Sequence, residues 1–234
     1  MAVVYVETLI HAPVERIWAA TQDPGSHRRW DARFGRIDPV PGSSPARFRY
    51  ETTVLPGVRV GGHGWHAGEH ARPDGSRTSA LRFGSDDPRS LIATGSGYWR
   101  YLPGPDGVRF LTGYRYVPRW GRAGRLADRL FGPAFGWATA WSFDRLRLWL
   151  ERGVPPERAR ANAAREVALR ALAVGGLAAL ALPAGPAGTA LAVLAGTAVA
   201  LALPPHPHTP AARRCRRRPP DRLAARPPSL LEQL

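Results

Sequence analysis

Apolar and polar positions along residues 1–152 follow two rhythms, and their order is the main clue to architecture. Val4, Val6, Thr8 and Ile10 alternate with their neighbours, which predicts a strand over residues 3–10. His11-Ala12-Pro13 turns the chain, and Pro13 pre-sets the first turn of a helix in which Val14, Ile17 and Trp18 form one apolar stripe. Asp23-Pro24-Gly25-Ser26 breaks that helix, and a second short one is expected over residues 24–30. Period two then takes over. Phe48, Tyr50 and Thr52 share one side of a strand over 46–54, with Arg47, Arg49 and Glu51 on the other. Further strands are expected over 64–71, 77–83, 91–102 and 108–117. The turn sequences Pro73-Asp74-Gly75 and Pro103-Gly-Pro-Asp-Gly107 make them antiparallel neighbours.

From residue 122 to 152 the rhythm becomes helical. Gly132-Pro133 is expected to interrupt it, leaving a helix of about 20 residues, near 30 Å long, that starts at Pro133. Gly153-Val-Pro-Pro156 ends it. A curved sheet closed over one long helix leaves room for a cavity between them. The candidate walls are Trp18, Trp30, Trp65, Trp99, Tyr101, Tyr114, Trp137 and Trp141, since binding pockets are mostly apolar with a few polar groups. Arg82, Arg100 and Arg115 lie mid-strand. Pointing inward they could hold a carboxylate or phosphate; alternation also allows them to face solvent.

Residues 157–203 read differently. No residue from Ala171 to Leu203 is charged, and Pro183-Ala-Gly-Pro186 divides the run into two arms. Each apolar arm is about 16–18 residues, roughly 24–27 Å of helix, against a hydrocarbon core of about 30 Å. Arginines stand on both sides, as the positive-inside rule requires of a hairpin with cytoplasmic ends, and Gly175, Gly176, Gly188 and Gly196 would let the arms approach. The expectation is a hydrophobic helical hairpin in the cell membrane. Membrane contact would come through 167–203 and the basic flanks, with the first domain and the tail both cytoplasmic. Residues 204–234, rich in Pro and Arg, read as a disordered tail.

Composition trims the chemistry. All 33 basic residues are arginine, which excludes lysine Schiff-base chemistry. The net charge is +15, and residues 153–234 carry more net positive charge per residue than those before them, chiefly because they hold few acids. Beside an apolar run, Arg213 to Arg218 reads as a flank for anionic headgroups rather than as a nucleic-acid patch. Cys215 is the one cysteine, so no intramolecular disulfide forms, and its arginine neighbours are expected to lower its thiol pKa. Residues 1–11 lack the basic start of a signal peptide. No metal site is expected. On a regular strand His66 and His70 share a face about 13 Å apart, with Glu69 on the other, too far for one zinc. Ser96 lacks the Gly-x-Ser-x-Gly spacing, and no phosphate loop or dinucleotide fingerprint occurs, so no cofactor is expected either.

Ala12-Pro13-Val14-Glu15-Arg16-Ile17-Trp18, followed by Asp23-Pro24 and Trp30, resembles the opening of the SRPBCC (START-like, Bet v 1-like) superfamily, in the style of its polyketide cyclase/dehydrase and lipid-transport branch. The resemblance covers residues 1–152. It implies an α+β helix-grip fold, six or seven antiparallel strands curved around a C-terminal helix, with a deep apolar cavity for lipids, polyketides or similar molecules. Carriers, sensors and cyclases share this fold, so activity does not follow from it. No catalytic set is legible. The leading expectation is a membrane-tethered carrier of a hydrophobic small molecule. A cyclase or dehydratase, and a protein-interaction domain of a membrane assembly, are the alternatives.

Overall fold

The computed structural model describes residues 2–55, 57–221, 224 and 226–231. The chain forms β1 (Ala2–Ile10), α1 (Val14–Gln22), α2 (Pro24–Trp30), β2 (Arg36–Val40), β3 (Arg47–Leu55), β4 (Val58–Ala71), β5 (Arg77–Gly84), β6 (Ile92–Gly104), β7 (Gly107–Pro118) and α3 (Gly121–Arg152). All seven strands make one antiparallel sheet in the order β1-β7-β6-β5-β4-β3-β2. Because α1 and α2 carry the chain from one edge strand, β1, to the other, β2, the sheet curls around α3. This is a helix-grip fold.

Local chemistry explains the elements. The Asp23 carboxylate accepts the Ser26 N–H at 2.7 Å and caps α2, whose first residue is Pro24. Gly153 ends α3 in the left-handed conformation, φ 62°, where a side chain would be strained. Two differences from the sequence reading have plain causes. β2 is an added strand that the pattern of residues 36–40 did not announce, and its Pro39 is tolerated because an edge strand has an outward N–H with no partner to lose. Likewise α3 runs unbroken through Pro133, which is partly exposed, so water can serve the carbonyl that the ring displaces.

The sheet's curvature has a visible device. Five glycines sit directly opposite aromatic residues on the neighbouring strand: Gly64 under Phe48, Gly62 under Tyr50, Gly95 under Phe83, Gly97 under Tyr114 and Gly113 under Tyr98. A Cβ at any of them would fall 2.2–2.6 Å from the facing ring. The rings lie flat on bare backbone, which lets the strands bend and covers the glycines.

The compact unit that holds the sheet comprises residues 1–153 together with 211–234; residues 154–210 form a second unit. In the first unit the described residues from Ala211 to Arg216, with Ala224 and Leu231, are packed on the domain, where composition led to the expectation of a disordered tail. The Ala211 N–H donates to Asp144 Oδ2 at 2.8 Å, Arg214 pairs with the same oxygen at 3.0 Å, and Arg147 holds the other at 2.7 Å. Asp144, on α3, is fully buried. Arg216 and Glu7 exchange backbone hydrogen bonds of 2.8 Å in both directions, so the tail pairs with the free edge of β1. Farther on, Ala224 and Leu231 lie over Tyr5, Ala80, Tyr98 and Leu111 on the sheet face opposite α3. The arginines that read as a flank for headgroups are thus partly engaged within the domain.

In the second unit α4 (Pro156–Leu180) and α5 (Gly185–Ala202) pack as a hairpin through a short 3-10 turn, Leu182–Ala184. Among the described residues one helical stretch, Leu182–Ala202, is long and apolar enough to cross a membrane, with mean hydropathy 1.6. Of the four glycines expected at the contact, Gly196 makes it, against Val174 and Leu177; Gly175 and Gly176 face open space and Gly188 meets only Ala184 and Ala181.

Candidate functional site

The space between sheet and α3, where a hollow was expected, is occupied by an aromatic core. Trp30, Tyr101, Phe110 and Phe143 are fully buried, and the rings of Phe110 and Phe143 stack at 4.5 Å. Trp99 and Tyr114 are buried with them. Trp30 donates to Ala20 O at 2.9 Å, so even its polar atom is committed to packing. Trp18 is partly buried against Tyr101 and lies under Arg77. Trp137 and Trp141 stack on each other along α3, and Trp137 is 53% exposed. The eight aromatics therefore do not share one chamber.

Trp65 lies elsewhere, at an open cleft of about 960 Å³ on the β2–β3–β4 end of the sheet. Phe48, Tyr50, Gly62 and Gly64 line it, two of the ring-over-glycine pairs described above, with Val40 and Pro45 beside them. Arg47, Arg49, His63, Asp86 and Asp87 supply its polar part. His63 approaches Asp86 at 3.6 Å, and Asp87 is held bidentately by Arg89 at 3.0 and 2.8 Å. Among the described residues neither Arg47 nor Arg49 has an ion-pair partner. Burial pushes the Tyr50 phenol up to about 12, so it stays a neutral donor, to Gly84 O at 3.3 Å. An apolar floor beside a rim of two arginines, a histidine and two carboxylates suits an amphipathic molecule.

Behind the cleft Tyr50 meets Phe34 edge-on at 5.5 Å, and Phe34 meets His27 at 5.4 Å. There the domain buries an ion pair. Arg33 donates Nε to Asp31 Oδ1 at 2.9 Å, Nη2 to Oδ2 at 2.6 Å and to the Tyr114 hydroxyl at 3.1 Å, and Nη1 to Thr139 at 3.1 Å. Its guanidinium also lies over the Phe34, Tyr114 and Phe135 rings. His27 reaches Asp31 Oδ2 at 3.1 Å. Burial alone would raise the Asp31 pKa, but the Arg33 charge and hydrogen bonds, with His27, hold it far below the usual carboxylate range. Nothing in the sequence marks Asp31 or Arg33 as buried; they look like loop charges.

A second polar chain leads outward from the core. Tyr101 shares a 2.6 Å hydrogen bond with Thr21 and accepts one from Gln22 at 3.0 Å; Ser79 donates to Gln22 at 3.3 Å and contacts His66 at 3.2 Å. His66 meets Glu69 at 3.3 Å. The strict alternation expected for β4 would have kept those two apart. A bulge between His66 and Gly68 shifts the register and brings Glu69 to the His66 side. Among the described residues no three His, Cys, Asp or Glu side chains gather as metal ligands.

Arg82, Arg100 and Arg115 project from the face opposite α3: Arg82 reaches toward the Leu231 carbonyl and Arg100 lies over Tyr98. The inward cation is Arg33 instead. Cys215 is buried against Ala140, and burial drives its thiol up to about 12, the reverse of the shift expected from its arginine neighbours.

No known family profile matches the chain. Over 160 residues it is 45% identical to the uncharacterized membrane protein YndG of Bacillus subtilis (strain 168), a match covering 66% of this chain and 59% of that one. The chain thus spans under two thirds of its relative's length. Among solved structures it is similar to TTHA0849 from Thermus thermophilus, with 20% identity, TM-score 0.45, and coverage of 57% of this chain and 86% of that one. It is also similar to the di-domain ARO/CYC StfQ from the steffimycin biosynthetic pathway, with 12% identity, TM-score 0.46, and coverage of 64% and 51%.

Proposed function

We propose that the protein is a membrane-tethered, non-enzymatic carrier that holds a hydrophobic small molecule, a lipid or polyketide-like compound, in the β2–β4 cleft. The apolar helical hairpin keeps it at the cell membrane, with the helix-grip domain and the tail on the cytoplasmic side. The observation that carries this reading is the cleft itself. Its volume of about 960 Å³ falls in the range of small-molecule pockets, its floor is two aromatic rings on bare glycine backbone, and Arg47 and Arg49 stand at its rim. Such a rim would hold the acidic end of an amphipathic ligand while the rings take the chain.

The test is native mass spectrometry of the full chain released from detergent after exposure to total lipid extract. A hydrophobic adduct is expected, and Gly62→Leu, which drives the Tyr50 ring into the cleft, should lower its occupancy at least tenfold. Wild-type protein that stays empty would sink the carrier reading and favour a protein-interaction domain. A cyclase or dehydratase reading draws on one observation, the chain from Tyr101 to His66 and Glu69, which could move a proton. His66→Ala abolishing turnover of a bound polyketide-like ligand would favour it.

A further inference from the structure

Resting on the membrane tether just proposed, we infer that the α4–α5 hairpin is a re-entrant anchor: it enters the bilayer from one side and ends inside the hydrocarbon without emerging on the other. Three observations within the hairpin carry this. The first is a polar clamp at its base. Arg170, on α4, donates to the carbonyls of Leu203 and Pro204 at 3.2 Å each and to that of Ala200, while pairing with Glu166. The Glu166 carboxylate accepts the His206 N–H at 3.1 Å, and Asn162 donates to His208 O at 3.1 Å. These bonds fix the foot of both arms at one level, and every charge in the hairpin lies at or below it.

The second is length. From Arg170 to Leu182 is about 18 Å of helix, and from Gly185 to Ala200 about 22 Å. The hydrocarbon core is about 30 Å thick. Among the described residues Leu182–Ala202 alone has the length to cross, but the shorter α4 arm, clamped at Arg170, stops short of the far surface and holds the shared tip with it.

The third is the tip. Leu182-Pro-Ala-Gly-Pro186 carries no polar side chain, whereas a turn that emerged into water would be expected to. Its backbone is largely served from within. The Ala181 N–H donates to Leu177 O at 3.1 Å, the Ala184 N–H to Ala181 O at 3.0 Å, and the Gly185 N–H to Leu182 O. The Thr189 hydroxyl donates toward Ala181 O and Gly185 O at 3.2 and 3.0 Å. Pro183 and Pro186 have no N–H to satisfy. Irregular backbone can sit at membrane depth only when its polar groups find internal partners, and this turn is built that way. Residues 1–153 and 211–231 belong to one compact unit, so the hairpin must also return to the side it left.

The experiment uses the full chain in sealed lipid vesicles with Cys215→Ser, carrying either Ala184→Cys at the tip or Asp106→Cys in the exposed β6–β7 turn. A membrane-impermeant maleimide is applied from each side, and an environment-sensitive fluorophore at position 184 is quenched by lipids bearing nitroxides at graded depth. The expected result is Asp106→Cys labelled from one side, Ala184→Cys labelled from neither until detergent is added, and quenching strongest by deep nitroxides. Labelling of Ala184→Cys from the side opposite Asp106→Cys would overturn the proposal in favour of a spanning hairpin. Labelling from the same side would overturn it too. Alkaline carbonate extraction separates the two readings: protein stripped from the vesicles defeats the tether, whereas protein retained with a far-side tip defeats only the re-entrant form.

Discussion

Replacing Arg33 by methionine tests the buried ion pair most directly. The side chain is enclosed, it satisfies both oxygens of a fully buried Asp31, and it supplies donors to Tyr114 and Thr139. Removing one partner of such a pair leaves an uncompensated charge and costs about 3–5 kcal/mol. For a chain of this size each kcal/mol lowers Tm by about 2–4 °C, so Arg33→Met should lower it by roughly 6–20 °C. Near-UV circular dichroism of the full chain in detergent, followed through thermal and guanidinium unfolding, reads this. The pH dependence gives a second handle. In the native protein Asp31 has a depressed pKa, so its contribution is present above the ordinary carboxylate value and is lost as pH falls through the folded one. Without Arg33, burial pushes Asp31 the other way, and the variant is relieved when that carboxyl takes a proton. The penalty should therefore shrink from pH 8 to pH 5. Adding Asp31→Asn to Arg33→Met should cost less than the two single changes summed. A loss under about 1 kcal/mol, the worth of an exposed pair, with no change across that pH range, would refute the reasoning.

Three further outcomes follow from the same contacts. Gly97→Ala should destabilise the domain by about 1–3 kcal/mol, because its Cβ would fall 2.4 Å from the Tyr114 ring; equilibrium unfolding matching wild type would show that the ring gives way freely. Asp144→Ala should free the Ala211–Arg216 segment, so that Cys215, whose thiol is buried and pushed up in the native chain, labels at least tenfold faster with a disulfide reagent at pH 8; unchanged labelling would mean the segment is held by other contacts. Glu7 is buried, yet hydrogen bonds from Arg109 and Tyr5 bring its pKa below the usual value, so its support for the β1–tail pairing should persist at neutral pH and fade only in acid, below about pH 4. Limited trypsin digestion at Arg213–Arg218, compared after incubation at pH 7 and pH 3.5, reads it.

Most of the fold was legible because period-two and helical rhythms separate cleanly before residue 153. The missing pieces were places where backbone matters more than side chains. β2 hides behind Pro39, and the start of β4 hides in Val58 to Gly64, where glycines carry no alternation to read. Yet those glycines were a usable signal. Gly62 and Gly64 repeat at the two-residue spacing of Tyr50 and Phe48, whereas Gly95 and Gly97 meet rings from two different strands, Phe83 and Tyr114. The site was less legible. Large aromatics mark burial without saying whether a ring walls a cavity or fills it, and Trp30, Trp99 and Tyr101 fill it. Asp31 and Arg33 stand two residues apart after a helix, a pattern that gives no hint of enclosure. The tail's order depends on Asp144, which composition cannot reveal.

The pairing of Arg216 with Glu7 joins β1 to a segment that is made only after both arms of the hairpin. Until the ribosome has delivered both arms of the hairpin, β1 keeps an unsatisfied rim and Asp144 waits without its anchor. Completion of the sheet-bearing unit therefore waits for the hairpin, and a chain stalled or clipped before residue 211 would display an open strand that proteases and chaperones recognise.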